Sequence, residues 1–274
     1  MEKISSISLE GNQQTEGKEK NIKIKNLLYE NRNVLLAADT TTPVRQNGIC
    51  YDGIIDEVEF ARQNKKIIFL LKETNGNDSN GNMPSEFEDW DYRWWLENKQ
   101  ANGGNSNDPE EKFYGKTFYN LCMWVNLFYR CIELHDLQPF ENYRDEYFHE
   151  DLYRQILKKT AIVNLKKTWG GSTTNWADLN AYLNNNAVRD VLKKEIAIIA
   201  PDIVVCGGRQ VFDFARQIFD SQEQQLTVSE SITSRYFKYK NALFVDFYHP
   251  SCRKKRSDLY YFAAEQFTAL NNIQ

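Results

Sequence analysis

The sequence predicts an α/β protein of three layers, with helices on both faces of a central, mostly parallel, four-stranded sheet. Three observations predict it. Short, continuous, β-rich apolar runs recur along the chain, the pattern of strands buried on both faces. Helical patterns separate them, the order expected of parallel strands joined by crossover helices. Each run empties abruptly into a polar or glycine-rich segment.

The elements follow in order. Residues 1–20 are rich in Gln, Glu, Lys, Ser and Gly and read as a flexible tail. Ile22 to Arg32 has the pattern of a short helix, whereas Asn33 to Ala38 fits a strand or a helix. Asp52 to Gln63 reads as a helix with Ile54, Ile55 and Val58 on one face. Ile67–Leu71 is the first buried strand. It is followed by a long loop from 74, an acidic stretch holding Trp90, Trp94 and Trp95, and a second loop over 100–110. Lys112 to Leu134 is an apolar helix carrying Phe118, Leu121, Cys122, Val125 and Phe128, and Asp151 to Lys159 is another helix. The second strand is Ala161–Leu165. One or two helices over 176–200 lead to the third strand, Asp202–Cys206, and a further helix runs to about Phe219. Ser221 to Ser234 reads as a loop with at most a short edge strand. Ala242–Phe247 is the fourth strand, and the last helix starts near Ser257. These elements describe one domain over 21–274, with insertions near 74–110 and 168–176.

Composition narrows the function. The chain has 274 residues, 41% hydrophobic and 14% aromatic, enough for a sizeable core. A net charge of −4 makes the protein as a whole no polycation, so nucleic-acid contact would have to come from a local basic patch. No apolar run approaches the roughly 18 residues of a membrane helix, and no secretory signal is expected. The five cysteines are scattered, with no close pair, which reads as reduced thiols in a cytoplasmic protein rather than a zinc or disulfide framework. No metal or organic cofactor is expected, no membrane partner, and a monomer.

In open parallel sheets, ligands bind beyond the carboxyl ends of the strands. The first strand ends in Lys72, Glu73 and Asn75, the second in Asn164, Lys166 and Lys167, the third in Gly207, Gly208 and Arg209, and the fourth in His249, Ser251 and Arg253. Glu73 is either a solvated loop acid or a carboxylate that orients water or steadies a cation. Asn164 either bonds its own backbone or offers a ligand a donor and an acceptor. Gly207-Gly208 permits close backbone approach at a helix start, whether for packing or for phosphate. Pro250 restrains His249 to extended geometry and so fixes the direction of its ring. His249 is one of only three histidines; His135 and His149 read as structural or exposed. The run Arg253-Lys254-Lys255-Arg256 is either a solvated face or a grip on a phosphate backbone.

In this order, the motifs resemble the uracil-DNA glycosylase superfamily. Leu71-Lys72-Glu73-Thr74-Asn75 takes the place of its first motif and Ala161-Ile162-Val163-Asn164 that of the base-reading Asn. Pro201 to Gly208 takes the place of the strand–Gly–helix unit, and His249-Pro250-Ser251-Cys252-Arg253 that of the His-Pro-Ser segment that leads into the DNA-intercalating loop. The chain departs from the pattern at Glu73, at Thr74 and Cys252, which replace prolines, and at Asn75, which stands where the tyrosine that blocks thymine would be. These departures surround the base pocket and imply a bulkier base, as in anti-phage members that remove hypermodified cytosine such as glucosylated hydroxymethylcytosine.

The resemblance implies a DNA N-glycosylase that flips out a modified pyrimidine. Glu73, with Asn75, and His249 would be catalytic. Asn164 would read the base, and Trp169, Trp90 or Trp94 would stack on it or pack in the core. Lys72, Lys166, Gly208, Arg209, Ser251, Arg253, Lys254, Lys255 and Arg256 would meet the DNA. The rival readings are a uracil-DNA glycosylase of base excision repair, a non-catalytic nucleic-acid-binding module on the same fold, and another α/β enzyme. A nucleophilic hydrolase is disfavoured because no GxSxG or Cys/His arrangement appears, and a P-loop and a dinucleotide fingerprint are also absent.

Overall fold

Alternation along Ile67–Leu71 divides the protein into two cores. Ile67, Phe69 and Leu71 pack into one apolar cluster and Ile68 and Leu70 into another, so the strand is covered on both sides. The computed structural model describes residues 19–40, 48–74, 90–91, 109–147, 150–170, 174–229 and 232–271. Asn75, Trp94, nearly all of the expected tail and most of the expected 74–110 insertion lie outside these residues.

The helices are α1 (residues 19–30), α2 (Arg32–Ala38), α3 (Glu57–Ala61), α4 (Pro109–Tyr129, prolonged by a π-helical turn over Arg130–Leu134), α5 (Phe140–Tyr147) and α6 (Glu150–Leu157). They continue with α7 (Trp176–Leu183), α8 (Asn186–Ile199), α9 (Arg209–Ile218) and α10 (Arg256–Asn271). The strands are β1 (Cys50–Tyr51), β2 (Gly53–Ile54), β3 (Ile67–Leu71), β4 (Trp90–Asp91), β5 (Ala161–Asn164), β6 (Ile203–Gly207), β7 (Gln224–Ser229), β8 (Ile232–Tyr239) and β9 (Ala242–Phe247). Helices α4, α6 and α10 fill one side of the sheet, with Trp124 wedged between Phe69 and Phe247. Helices α1, α2, α7, α8 and α9 fill the other. Among the described residues, no helix is long and apolar enough to cross a membrane.

The sheet is mixed and seven-stranded, in the order β2-β5-β3-β6-β9-β8-β7, rather than four-stranded. The four expected strands form its parallel centre, β5-β3-β6-β9. The added strands are antiparallel: β2 on one edge and the β7–β8 hairpin on the other. The hairpin replaces most of the expected 221–234 loop. Gln224, Gln225, Thr227, Thr233 and Lys238 face water, while Leu226, Ser234, Tyr236 and Phe237 turn inward. The helix expected over Asp52–Gln63 shrinks to α3. Gly53 has φ +125°, which no helix accommodates, and the Asp56 carboxylate caps α3 by accepting from the Val58 and Glu59 amides.

Candidate active site

The parallel register brings the four polar strand ends to one edge of the sheet. Leu71 sits opposite Asn164, Leu70 opposite Cys206, and Gly207 opposite Phe247. The pairing continues past the strands: Leu165 and Lys166 amides donate to the Leu71 and Lys72 carbonyls at 2.8 and 2.9 Å, and the Gly208 amide to Phe247 at 2.9 Å. Glu73, Asn164 and His249 therefore share that edge.

Glu73 is held by Gly170. A Cβ on Gly170 would fall 2.0 Å from Glu73 Cγ and 2.8 Å from its carboxyl carbon. The Gly170 amide also donates to the Thr74 carbonyl at 2.8 Å, so the two segments are clamped together. Glu73 Oε2 is buried with no hydrogen-bond partner among the described residues. A carboxylate oxygen in that state is primed to accept from whatever enters.

Asn164 is held from behind. The Asp52 carboxylate accepts its backbone amide at 2.6 Å and its side-chain Nδ2 at 3.1 Å, and Thr74 Oγ1 accepts Nδ2 at 3.2 Å. Both side-chain amide hydrogens are thus committed, and the carbonyl oxygen is what Asn164 has left for a ligand. The expectation that it offers donor and acceptor together is corrected to acceptor alone.

Asp52 is fixed in turn by Lys167, whose ammonium lies 2.7 Å from Asp52 Oδ1 and 2.6 Å from Glu195 Oε2, with all three side chains at 0% exposure. Burial pushes the Glu195 carboxyl up, against the pull of Lys167 and with the push of Asp52. A proton on Glu195 leaves one buried anion and one buried cation. Because its folded pKa is raised, the stability Glu195 contributes is present below the ordinary carboxylate range and is lost as pH rises through the raised value.

His249 Nδ1 accepts the Ser251 backbone amide at 3.1 Å and lies 2.7 Å from Ser251 Oγ. The amide can only donate, so in the neutral ring Nε2 carries the proton. Burial, then the Lys72 charge, lowers the pKa from 6.5 to about 4. The ring is therefore a neutral Nε2–H donor through the whole near-neutral range. Protonation favours the unfolded state, so stability is lost as pH falls from 6.5 towards about 4. Asn120, buried in α4, donates from Nδ2 to the Pro250 carbonyl at 2.5 Å and steadies this segment. Replacing Lys72 with Met is expected to raise the His249 midpoint while leaving it below 6.5, because burial, the larger cause, remains; an NMR titration of the imidazole checks this.

The expected DNA-contact residues divide. Arg209, Ser251, Arg253, Lys254 and Lys255 are exposed, and Lys72 and Gly208 are half-buried. The Arg256 guanidinium lies 4.2 Å from the Tyr119 ring centroid and Lys254 4.8 Å from that of Tyr248. Lys166 is corrected: it is 3% exposed, and its ammonium meets Asp39 at 2.9 Å, so its charge is spent inside the protein. Trp169 is 9% exposed and largely packed inside, which leaves little ring face for a base. Trp90 lies in β4, paired with β1.

Sequence reasoning missed Asp52, Asn120, Gly170 and Glu195, and placed Lys167 at the second strand end without its buried partners. Two had a signal: Glu195 interrupts the apolar stripe Val188, Val191, Leu192, Ile196 and Ile199, and Asn120 interrupts an apolar helix. Among the described residues, no group of three or more His, Cys, Asp or Glu gathers to hold a metal ion. No protein-family model and no curated protein matches the sequence.

Proposed function

We propose that this protein is a DNA N-glycosylase that extrudes a modified pyrimidine and hydrolyses its glycosidic bond, leaving an abasic site. The observation that carries the reading is the pairing, at one sheet edge, of a carboxylate with an unpartnered oxygen, Glu73, and a neutral Nε2–H donor, His249. Loss of a base needs both. As the C1′–N bond breaks, its electron pair moves to the base, where the His249 N–H stabilises the growing anion. The sugar becomes cationic; Glu73 stabilises it and takes the proton of the water that adds to C1′. Asn164 accepts a hydrogen bond from the base. Extrusion costs a few kcal/mol, which phosphate contacts by the exposed Arg253, Lys254 and Lys255 help to offset. The proposed partner is DNA and the proposed setting is the cytoplasm, in defence against phages with modified DNA.

A second reading, a non-catalytic nucleic-acid-binding module, draws on the inward commitment of the Asn164 amide. One assay separates the two. Duplexes carrying uracil, hydroxymethylcytosine or glucosylated hydroxymethylcytosine are incubated with the protein and treated with alkali. Strand breaks at the modified base support the glycosylase; binding without abasic sites on any duplex supports the module. Under either reading, replacing Arg253, Lys254 and Lys255 with Ala is expected to weaken DNA binding across sequences. It should also flatten the salt dependence by about one unit of slope for each phosphate no longer neutralised, as measured by binding titrations from low to high salt.

A further inference from the structure

We propose that the cavity between α10 and the β8–β9 hairpin is a second binding site, built to hold a neutral nucleobase through its donor–acceptor edge. The cavity has a volume of about 250 Å³, and Ser234, Tyr248, His249, Phe262 and Gln266 line it. Gln266 is 1% exposed, yet neither its Nε2 nor its Oε1 has a hydrogen-bond partner among the described residues, and the same holds for Ser234 Oγ. A buried amide with both ends unpaired destabilises a fold, and native proteins keep few such groups. Here the unpaired amide and hydroxyl lie in the lining of one cavity, so a ligand that supplies the missing partners accounts for both.

The chemistry of that ligand follows from the remaining lining. Of the charged residues in the lining, Arg235 and Asp246 meet at 2.6 Å, and Asp213 and Glu223 hold Arg235 from outside at 3.0 and 3.3 Å, while Arg209 stands exposed at the rim. The buried groups left unpaired, the Gln266 amide and the Ser234 hydroxyl, are uncharged. An amide presents a donor and an acceptor side by side in one plane, which suits the edge of a nucleobase. Tyr248 and Phe262, with ring centroids 4.5 Å apart, give an aromatic wall for the face of such a ring. The volume is below that of pockets for drug-sized ligands, as a single base requires. His249 borders the cavity. The base could therefore belong to the nucleotide next to the one engaged at His249, or be a free base after release; both present the same edge.

The test is a titration with adenosine, guanosine, cytidine and uridine, followed by ligand-observed NMR and needing no base-release activity. It can therefore fail while the glycosylase reading stands, and the reverse. At least one nucleoside should bind saturably. Gln266→Leu should weaken it at least tenfold while leaving the thermal midpoint unchanged or higher, and Ser234→Ala should weaken it several-fold. A single-stranded oligonucleotide tells the sources apart. If Gln266→Leu weakens its binding, the base belongs to the strand; if oligonucleotide binding is unchanged and only binding of free base weakens, the site holds released base. No saturable nucleoside binding, equal binding by Gln266→Leu, or tighter binding of glucose than of any nucleoside would overturn the proposal.

Discussion

Replacing Lys167 with Met is expected to destabilise the protein by about 3–5 kcal/mol, the cost of leaving a buried charge without its partner. Lys167 is 0% exposed and its ammonium is the shared counter-charge of Asp52 and Glu195. Methionine fills the space of the stem but leaves the Asp52 carboxylate facing Glu195. The effect should appear as a lower urea midpoint with an unchanged slope. An exposed lysine gives the contrast: Lys23 pairs with Glu19 across a helical turn with both side chains 60% exposed, and Lys23→Met should cost no more than about 0.5 kcal/mol. Adding Glu195→Gln to Lys167→Met should recover part of the loss, because an amide beside the stranded Asp52 carboxylate carries no charge at any pH. The consequence reaches the site: Asp52 holds the Asn164 backbone and side chain, so a displaced Asp52 releases the residue proposed to meet the base.

Gly170→Ala is expected to lower base release by about a hundredfold, the order of effect that a displacement near 1 Å produces at a reacting group. The new methyl group would start 2.0 Å from Glu73 Cγ and 2.9 Å from Glu73 Oε1, so the carboxylate must move. Single-turnover release of base, compared with the same rate in Glu73→Ala, checks this. Adding Glu73→Ala to Gly170→Ala should cost little further activity and should restore stability, because the clash goes with the side chain. That non-additivity distinguishes a displaced Glu73 from a general loosening of the loop.

The parts of the fold legible in the sequence are those with the strongest pattern. Ile67–Leu71, Ala161–Val163, Ile203–Cys206 and Ala242–Val245 are apolar throughout because both faces are covered, and they lie in the parallel centre of the sheet. The edge strands escaped because their pattern is mixed: Arg235 and Lys238 lie in β8 among aromatic residues, and β2 is two residues long. That Glu73, Asn164 and His249 stand at strand ends is legible because strand ends show as abrupt breaks in apolar runs. What holds them was not found. Asp52 and Glu195 lie 112 and 31 positions from Asn164, and only the folded sheet brings Lys167 between them. Lys166 and Lys167 look alike as sequence, both free to meet phosphate; in the structure Asp39 takes one and Asp52 and Glu195 take the other.

The most direct measurement is the amount of free base released from a duplex bearing glucosylated hydroxymethylcytosine, quantified by mass spectrometry for the wild type, Glu73→Ala and His249→Ala. The expected result is free base in equal amount to abasic sites for the wild type. Release should be slower by at least a hundredfold in Glu73→Ala and reduced in His249→Ala, with all three proteins equally folded. The wild-type rate should hold down to about pH 5, since His249 titrates only near 4. No free base from this duplex or its uracil and hydroxymethylcytosine counterparts, or equal release by Glu73→Ala, would contradict the account.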